Sequence, residues 1–177
     1  MTEFTAYLSG NSFRETAEKI REYRDRINLW VETFCYELTK EGEMVIRSVL
    51  LEHVYSGETI ESVEIISESG DGYCTARIRV TSDAIMFIEF GSGLLGALSE
   101  HPTGLYGAGT FGQAKRQNPE YENWENPEGW TYIGDDGKLH KSFGMEASMP
   151  MYRGAAAMKM RLVDVAMNVS ARVFGNA

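Results

Sequence analysis

The fold is decided by a stretch near the N-terminus, where residues 13–38 read FRETAEKIREYRDRINLWVETFCYEL. Apolar side chains recur there at alternating steps of four and three residues, interrupted only by Arg24, so they share one face of a helix. This apolar face consists of Phe13, Ala17, Ile20, Ile27, Val31, Phe34 and Leu38. The stretch therefore predicts a long amphipathic helix.

The sequence also indicates where this helix begins and ends. Ser12 and Glu15 have the spacing of a capping box, which predicts a helix start at Ser12. Gly42 is a candidate kink, because glycine weakens a helix interior by about 1 kcal/mol relative to alanine. Since Met44 and the residues after it continue the apolar pattern, we expect the helix to reach about His53.

Downstream, the period of the apolar residues changes to that of a strand. Val63 and Ile65 alternate with polar neighbours, and so do Cys74, Ala76, Ile78 and Val80. Residues 69–72 read SGDG and supply the positive backbone angles that a hairpin connection needs. We expect an antiparallel hairpin between residues 59 and 80. The apolar run at residues 84–88, AIMFI, is too short to distinguish a strand from a short helix, so both stay open.

From residue 94 to about residue 145 the chain is rich in glycine, aromatic and polar residues. A segment of this length rarely stays without structure in a compact domain unless it binds something. Within it, residues 130–133 and 139–143 flank the turn sequence GDDG, which predicts a second hairpin. We interpret residues 94–145 as a loop or hairpin insertion.

A C-terminal helix follows. Pro150 suits the first turn of a helix, and Gly175 can take the left-handed conformation beyond its end. Apolar residues between them recur at helical spacing, namely Met151, Ala155, Met158, Leu162, Val165 and Val169. The elements predict an α+β chain with a long N-terminal helix, a small antiparallel sheet of about three to five strands, a C-terminal helix packed on the sheet, and a long loop insertion. We expect one domain over residues 1–177.

The net charge of the chain and its distribution indicate which classes of partner the chain can bind. Lys and Arg number 17 against 26 Asp and Glu, a formal charge of -9, so direct binding to nucleic acid is not expected. The charges are uneven: residues 120–128 carry four glutamates and no base, whereas Arg153, Lys159, Arg161 and Arg172 outnumber Asp164 near the C-terminus. Opposite patches of this kind can meet between subunits.

Two cysteines, Cys35 and Cys74, are too few for the disulfide framework of a small secreted domain. They are interpreted as two ordinary buried thiols. The N-terminus lacks the pattern of a secretory leader, and no apolar stretch approaches the length of a membrane span. We expect a chain that is neither exported nor inserted in a membrane.

Candidate sites for chemistry have weak signals. His53, His101 and His140 lack the spacing of a zinc site, although His101 and His140 could converge with Glu100 or Asp135, and surface histidines are the favoured interpretation. The glycines at 104, 107, 109 and 112 lack the Lys-Ser/Thr ending of a phosphate loop. Ser92 lacks the spacing of a nucleophile elbow. Asp135 and Asp136, or the loop glutamates, could form an acid and base pair for sugar hydrolysis, but solvated carboxylates are favoured. We predict no catalytic, cofactor-binding or metal-binding residues.

Two short motifs stand out in the order of elements: FIEFGSG at residues 87–93, and MPMY at residues 149–152, which opens the last helix. They are preceded by the long helix, a glycine-containing segment before Ser62, and a hairpin. This arrangement, over roughly residues 12–174, resembles the minor tail component family of tailed bacteriophages, also described as neck or tail-completion proteins. Trp130, Tyr132, Gly137 and His140 look like an insertion seen in relatives from phages of Gram-positive hosts.

The resemblance implies a structural protein that performs no chemistry. Such a protein assembles as a homo-oligomeric ring with other phage head or tail proteins, at the head–tail junction or at the tail end. Its location is the host cytoplasm during assembly and then the virion. A ring uses two different faces of each subunit, which suits the acidic 120–128 segment of one subunit meeting the basic last helix of the next. Candidate interface residues are Trp124, Trp130, Tyr132, Met149, Arg153 and Arg161.

Two other interpretations stay open. The first is a carbohydrate-binding module or hydrolase that uses the aromatic and acidic loop at residues 120–143, with Trp124 and Trp130 as a stacking platform. The second is a regulator that binds another protein through the long N-terminal helix, whose apolar face resembles a pairing seam.

Overall fold

The structure, a computed structural model, describes residues 5, 9–53, 57–97, 101–102, 130–134 and 136–175. Its elements in chain order are α1 (Gly10–His53), α2 (Gly57–Glu61), β1 (Glu64–Gly70), β2 (Tyr73–Arg79), α3 (Ile85–Phe90), α4 (Gly93–Ala97), β3 (Trp130–Ile133), β4 (Leu139–Ser142), β5 (Gly144–Met145) and α5 (Pro150–Phe174). The mixed α and β class is confirmed, with a long N-terminal helix, a small antiparallel sheet and a C-terminal helix that packs on it.

The long helix was predicted well at one end and wrongly at the other. α1 ends at His53, as expected, and continues through Gly42 without interruption. It begins at Gly10, two residues before Ser12, because the Ser9 hydroxyl accepts a hydrogen bond from the Ser12 amide (3.2 Å). Ser9 thus takes the capping position, and Ser12 lies one turn inside the helix.

The sheet differs from the prediction of one sheet with three to five strands. Within the part of the chain that the structure describes, the strands form two two-stranded ladders, β1 with β2 and β3 with β4. β1 extends further than expected, to Gly70, and β2 begins at Tyr73 as expected, which leaves Asp71 and Gly72 as a two-residue turn. Gly72 has φ 81°, which an Asp-Gly hairpin turn requires. The open choice at residues 84–90 resolves as helix α3.

The chain divides into two compact units. Unit 1 comprises residues 1–41, 65–78 and 158–177, and unit 2 comprises residues 42–64 and 79–157. The prediction of a single domain over residues 1–177 stays a prediction.

Unit 1 contains the first part of α1, the β1–β2 hairpin and the last part of α5. The Trp30 indole donates to the Ser170 hydroxyl (2.9 Å). The Arg26 guanidinium donates to the Val173 carbonyl (2.6 Å) and lies over the Phe174 ring, so a cation caps the C-terminus of α5. Gly175, expected to take a left-handed conformation there, has an ordinary φ.

The apolar face of α1 is only partly covered within unit 1. Its later residues Val31, Phe34 and Leu38 are half-buried. Its earlier residues Phe13 and Ile20 are about half exposed. The periodicity therefore identified the helix and its apolar face, whereas burial increases along it.

Unit 2 contains the last part of α1, the helices α2 to α4, the strands β3 to β5 and the start of α5. Ile46 and Leu50 of α1 are fully buried in its core. The Arg47 guanidinium pairs with Glu43 (3.0 Å) and donates to the carbonyls of Ile60 (2.8 Å) and Val63 (2.6 Å). The Arg47 side chain therefore holds the end of α2 and the residue before β1 against α1.

α1 and α5 approach each other closely within unit 2, at Gly154. A Cβ atom there would lie 2.6 Å from Ile46 Cγ1 and 3.0 Å from the Gly42 carbonyl oxygen. Such distances are shorter than van der Waals contact, so only glycine fits. The close approach of two helices is the physical reason for a glycine at position 154.

We predict that Gly154→Val destabilises the protein by about 1–3 kcal/mol, because the added carbons overpack a buried contact. The matched control is Gly10→Val in the first turn of α1, where a Cβ would meet nothing within 4 Å. Urea unfolding followed by circular dichroism measures both. Equal unfolding midpoints for the two variants would contradict the close contact.

Candidate functional site

The residues that carry the FIEFGSG motif form a tight turn between two short helices. α3 ends at Phe90, and Gly91 follows with φ 73°. A Cβ at Gly91 would lie 2.7 Å from Gly96 Cα in α4 and 2.8 Å from the Met145 carbonyl oxygen. The turn therefore requires glycine at position 91 for two reasons: the backbone has a positive φ there, and neighbouring atoms leave no room for a side chain.

The segment before α5 is fixed to this turn by backbone hydrogen bonds. The Ser148 amide donates to the Ile88 carbonyl (2.8 Å), and the Leu95 amide donates to the Phe143 carbonyl (3.2 Å). β5 forms antiparallel bridges to Ser92 and Gly93. Residues 88–95 and 143–148 are therefore held side by side directly before the last helix.

At the centre of this arrangement, the buried Glu89 side chain caps the N-terminus of α5. One of its carboxylate oxygens accepts from the Met151 amide (2.8 Å) and the other from the Tyr152 amide (3.0 Å). These are the second and third residues of the helix, the donors that an N-cap side chain normally satisfies. Met149, at the capping position, has no side-chain oxygen, so Glu89 replaces it from 62 residues away.

His101 completes the cluster. Its Nε2 lies 3.0 Å from the Glu89 oxygen that also binds Tyr152. Because the carboxylate accepts from two backbone amides, the histidine is the donor in this pair. The ring packs against Phe90 (centroids 4.7 Å apart) and edge-on to Tyr152 (5.4 Å). We call Glu89, His101, Phe90, Tyr152 and the Met151 amide the Glu89 cluster.

The geometry of the Glu89 cluster favours a structural role. The side chains of Glu89 and His101 are only 8% and 4% exposed, so a substrate has little surface to reach. The negative charge is balanced by the positive end of the α5 dipole and by donors on three sides. The interpretation of His101 as a surface histidine was wrong, since it is buried against Glu89.

We predict that Glu89→Gln lowers the free energy of unfolding by about 1–3 kcal/mol, because an amide NH₂ then faces a backbone donor in a buried site. Glu61→Gln, which makes the same change on an exposed residue of unit 2, is the control and should leave stability within about 0.5 kcal/mol of wild type. Urea titration measures both. Equal losses in the two variants would show that Glu89 is no cap.

A second prediction concerns the two demands on Gly91, its backbone angles and its close neighbours. Gly91→Ala and Gly137→Ala replace glycines of nearly equal φ, 73° and 72°, but only Gly91 has close neighbours, since a Cβ at Gly137 would meet nothing within 4 Å. Gly91 also has ψ 175°, and this combination of angles is essentially restricted to glycine. Gly91→Ala should therefore lower the thermal midpoint substantially more than Gly137→Ala, and indistinguishable midpoints would refute the crowded turn.

The second hairpin is confirmed. β3 and β4 are antiparallel, with Trp130 opposite Ser142, Tyr132 opposite His140 and Ile133 opposite Leu139. The last of these pairs flanks the turn, and both residues are largely exposed, at 74% and 73%. The hairpin therefore presents an apolar pair next to its turn.

The Asp136 side chain in the turn of this hairpin forms hydrogen bonds with its neighbours. His140 Nε2 lies 2.9 Å from an Asp136 oxygen, and this bond, with the Lys138 amide, lowers the pKa of Asp136. A general acid for sugar hydrolysis needs a raised pKa instead. The described carboxylate of this loop thus gives the hydrolase interpretation no support.

The predicted interface residues fall in different places. Trp130 and Tyr132 lie in β3, while Trp124, like the glycines at 104–112, lies outside the described residues. Met149 precedes α5 with φ 57°, and its carbonyl accepts from the Arg153 amide (2.9 Å). Arg161, in unit 1, forms ion pairs with Glu41 (3.3 Å) and Asp164 (3.1 Å).

Part of the basic patch on the last helix is balanced inside the chain. Besides Arg161, Arg172 pairs with Glu37 (2.6 Å). The side chains of Arg153 and Lys159 are exposed. Fewer free cations are thus offered to an acidic neighbour than the sequence suggested.

An apolar stripe on α5 was missed by the sequence reasoning. Met160, Val163 and Met167 follow one another at steps of three and four and are 76%, 61% and 66% exposed. The buried Val165 and Val169 lie on the opposite side of the same helix. The sequence shows both sets as apolar, and only the structure tells which of them is buried. We call the three exposed residues the α5 stripe.

Comparison with known proteins found no match for the chain among protein-family models, curated proteins or solved structures. Among the described residues, no group of three or more His, Cys, Asp or Glu side chains is placed to hold a metal ion. In the same part of the chain, no helix is long and apolar enough to cross a membrane.

Proposed function

We propose that this chain is a structural component of a tailed phage or prophage particle, at the head–tail junction or the tail end. It acts through contacts with copies of itself and with other head or tail proteins, and it performs no chemistry. It is assembled in the host cytoplasm and then belongs to the virion.

The α5 stripe carries this proposal. Contiguous apolar surface that stays exposed on a folded chain usually marks a site of protein contact. The spacing of Met160, Val163 and Met167 is that of the anchors of a helix that lies in an apolar groove. Two of the three are methionines, whose unbranched side chains adapt to the surface they meet. Such a face fits a protein that acts through contacts with other proteins.

The β3–β4 hairpin supports the same proposal from unit 2. Its exposed Ile133 and Leu139 are directly opposite one another and form a compact apolar contact beside the turn. A ring needs two different contact surfaces on each subunit, because one face of a subunit meets another face of the next. The α5 stripe and the hairpin pair provide two surfaces of different shape.

The resemblance to phage minor tail components gains support from the Glu89 cluster. FIEFGSG and MPMY are far apart in sequence, yet Glu89 of the first motif caps the helix that the second motif opens. Two motifs that depend on each other in this way form one structural unit. This coupling gives a physical reason for the two motifs to occur together in one chain.

We predict that the purified chain forms oligomers and that Met167→Glu weakens them at least about tenfold in dissociation constant, because a charge enters an apolar contact. The control is Asn168→Glu, the adjacent exposed residue with the same change in charge. Light scattering coupled to size-exclusion chromatography measures both variants. A monomeric wild type at all concentrations, or equal effects of the two substitutions, would contradict the proposed contact.

The salt dependence of the oligomers distinguishes an apolar contact through the α5 stripe from a charge-based contact. Oligomers held by the α5 stripe should persist or strengthen as salt rises, whereas contacts of Arg153 and Arg161 with an acidic neighbour should weaken.

Membership of a phage or prophage is tested by gene neighbourhood. Genes for portal, capsid and tail-tube proteins beside this one are expected, and a neighbourhood of carbohydrate enzymes would overturn the proposal.

A further inference from the structure

The two cysteines of the chain face each other within unit 1. Cys35 lies in α1 and Cys74 in β2, 39 positions apart. The Cys35 thiol is 3.5 Å from the Cys74 carbonyl oxygen, and the neighbouring Cys74 side chain contributes to raising the pKa of the Cys35 thiol. Both are free thiols and half-buried. The sequence interpretation of two scattered thiols gave no sign of this contact.

The secondary structure explains why the two side chains meet. Along β2 the half-buried residues alternate with exposed ones, and Cys74 belongs to the half-buried set with Ala76 and Ile78. On α1, Cys35 lies beside the half-buried Phe34 and one turn after Val31. The inward side of the strand and the covered side of the helix thus bring the two sulfur atoms together.

We propose that Cys35 and Cys74 form a dithiol site that a small-molecule disulfide, such as oxidised glutathione, converts into an intramolecular disulfide joining α1 to β2. The chain holds two cysteines in all. Every intramolecular disulfide is therefore this one, and the site can be read without interference.

The reaction is a double thiol–disulfide exchange. The Cys74 thiolate attacks one sulfur of oxidised glutathione, the S–S bond breaks, and one glutathione thiolate leaves. Cys35 then loses its proton to solvent, and its thiolate attacks the Cys74 sulfur of the mixed disulfide, so the second glutathione leaves. The protein loses two hydrogens and two electrons, and one oxidised glutathione becomes two reduced ones.

The order of attack follows from the surroundings of Cys35. Burial and the contact with Cys74 raise the pKa of the Cys35 thiol to about 11, so little thiolate is present near pH 8. The higher nucleophilicity of such a thiolate only partly compensates. Cys74 therefore reacts first, and Cys35 resolves the mixed disulfide once it is adjacent to a reactive sulfur.

The bond would close a loop of 39 residues and restrict the unfolded chain. Entropic stabilisation by a loop of this length corresponds to a rise in the thermal midpoint of about 10 °C for a chain of this size. Because Cys35 Sγ already lies 3.5 Å from the Cys74 carbonyl oxygen, the bond requires no large rearrangement of the folded state.

The test incubates the full-length protein with oxidised glutathione at pH 8, blocks remaining thiols with an alkylating agent, and measures the intact mass and the thermal midpoint. Wild type should lose two hydrogens, take up no alkyl group, stay monomeric on a non-reducing gel, and melt about 10 °C higher until dithiothreitol reverses the change.

The single variants test the order of the two steps. Cys35→Ser should retain one glutathione on Cys74. Cys74→Ser should react more slowly at Cys35, because burial still raises the pKa of this thiol.

Three outcomes would overturn the proposal. Wild type could keep both thiols free under conditions that modify Cys74 in Cys35→Ser, it could carry two glutathiones, or it could form disulfide-linked dimers. Each would show that the two sulfur atoms do not reach one another in the folded protein. The double variant Cys35→Ser/Cys74→Ser should not change in mass or midpoint, and it controls for effects of glutathione elsewhere.

Discussion

The hydrogen bonds from the N-terminus of α5 to Glu89 are the constraint on which unit 2 depends. A helix that starts Met-Pro-Met-Tyr has no capping side chain of its own, and its first donors would be buried without partners. Glu89 satisfies two of them, and this requires α3 to end within hydrogen-bonding distance of α5. The Gly91 turn, the backbone bonds from Ser148 and Leu95, and the burial of His101 all follow from holding one carboxylate in this position.

Local sequence signals predicted local structure. The steps of four and three in α1, the alternation in β2 and the turn sequences at Asp71–Gly72 and 134–137 concern residues that are neighbours along the chain, so their periods could be read directly. The cap on α5 could not be read in this way, because its donor and acceptor are 62 residues apart and Glu89 looks like any carboxylate at the end of a short apolar run. His101 was misjudged for the same reason: nothing in its neighbours shows that a buried carboxylate faces it.

Burial is the other property that the sequence left undecided. Periodicity places Phe13 and Leu38 on the same face of α1, yet Phe13 is exposed and Leu38 is half-buried. On α5, apolar residues occupy both the covered side, with Val165 and Val169, and the exposed side, with Met160, Val163 and Met167. A hydrophobic pattern reports which residues prefer an apolar environment. Whether the chain itself or another protein provides that environment is a property of tertiary structure.

The two borders of the 94–145 insertion are fixed to the same small region of unit 2. At its start, His101 binds Glu89, and at its end, Phe143 and β5 bind residues 92–95. The contacts that hold the Glu89 cluster are therefore made by two short segments, residues 88–101 and 143–152, which bind each other directly. The cap on the last helix thus joins parts of the chain that are far apart in sequence, and a change in either segment would be felt at the other.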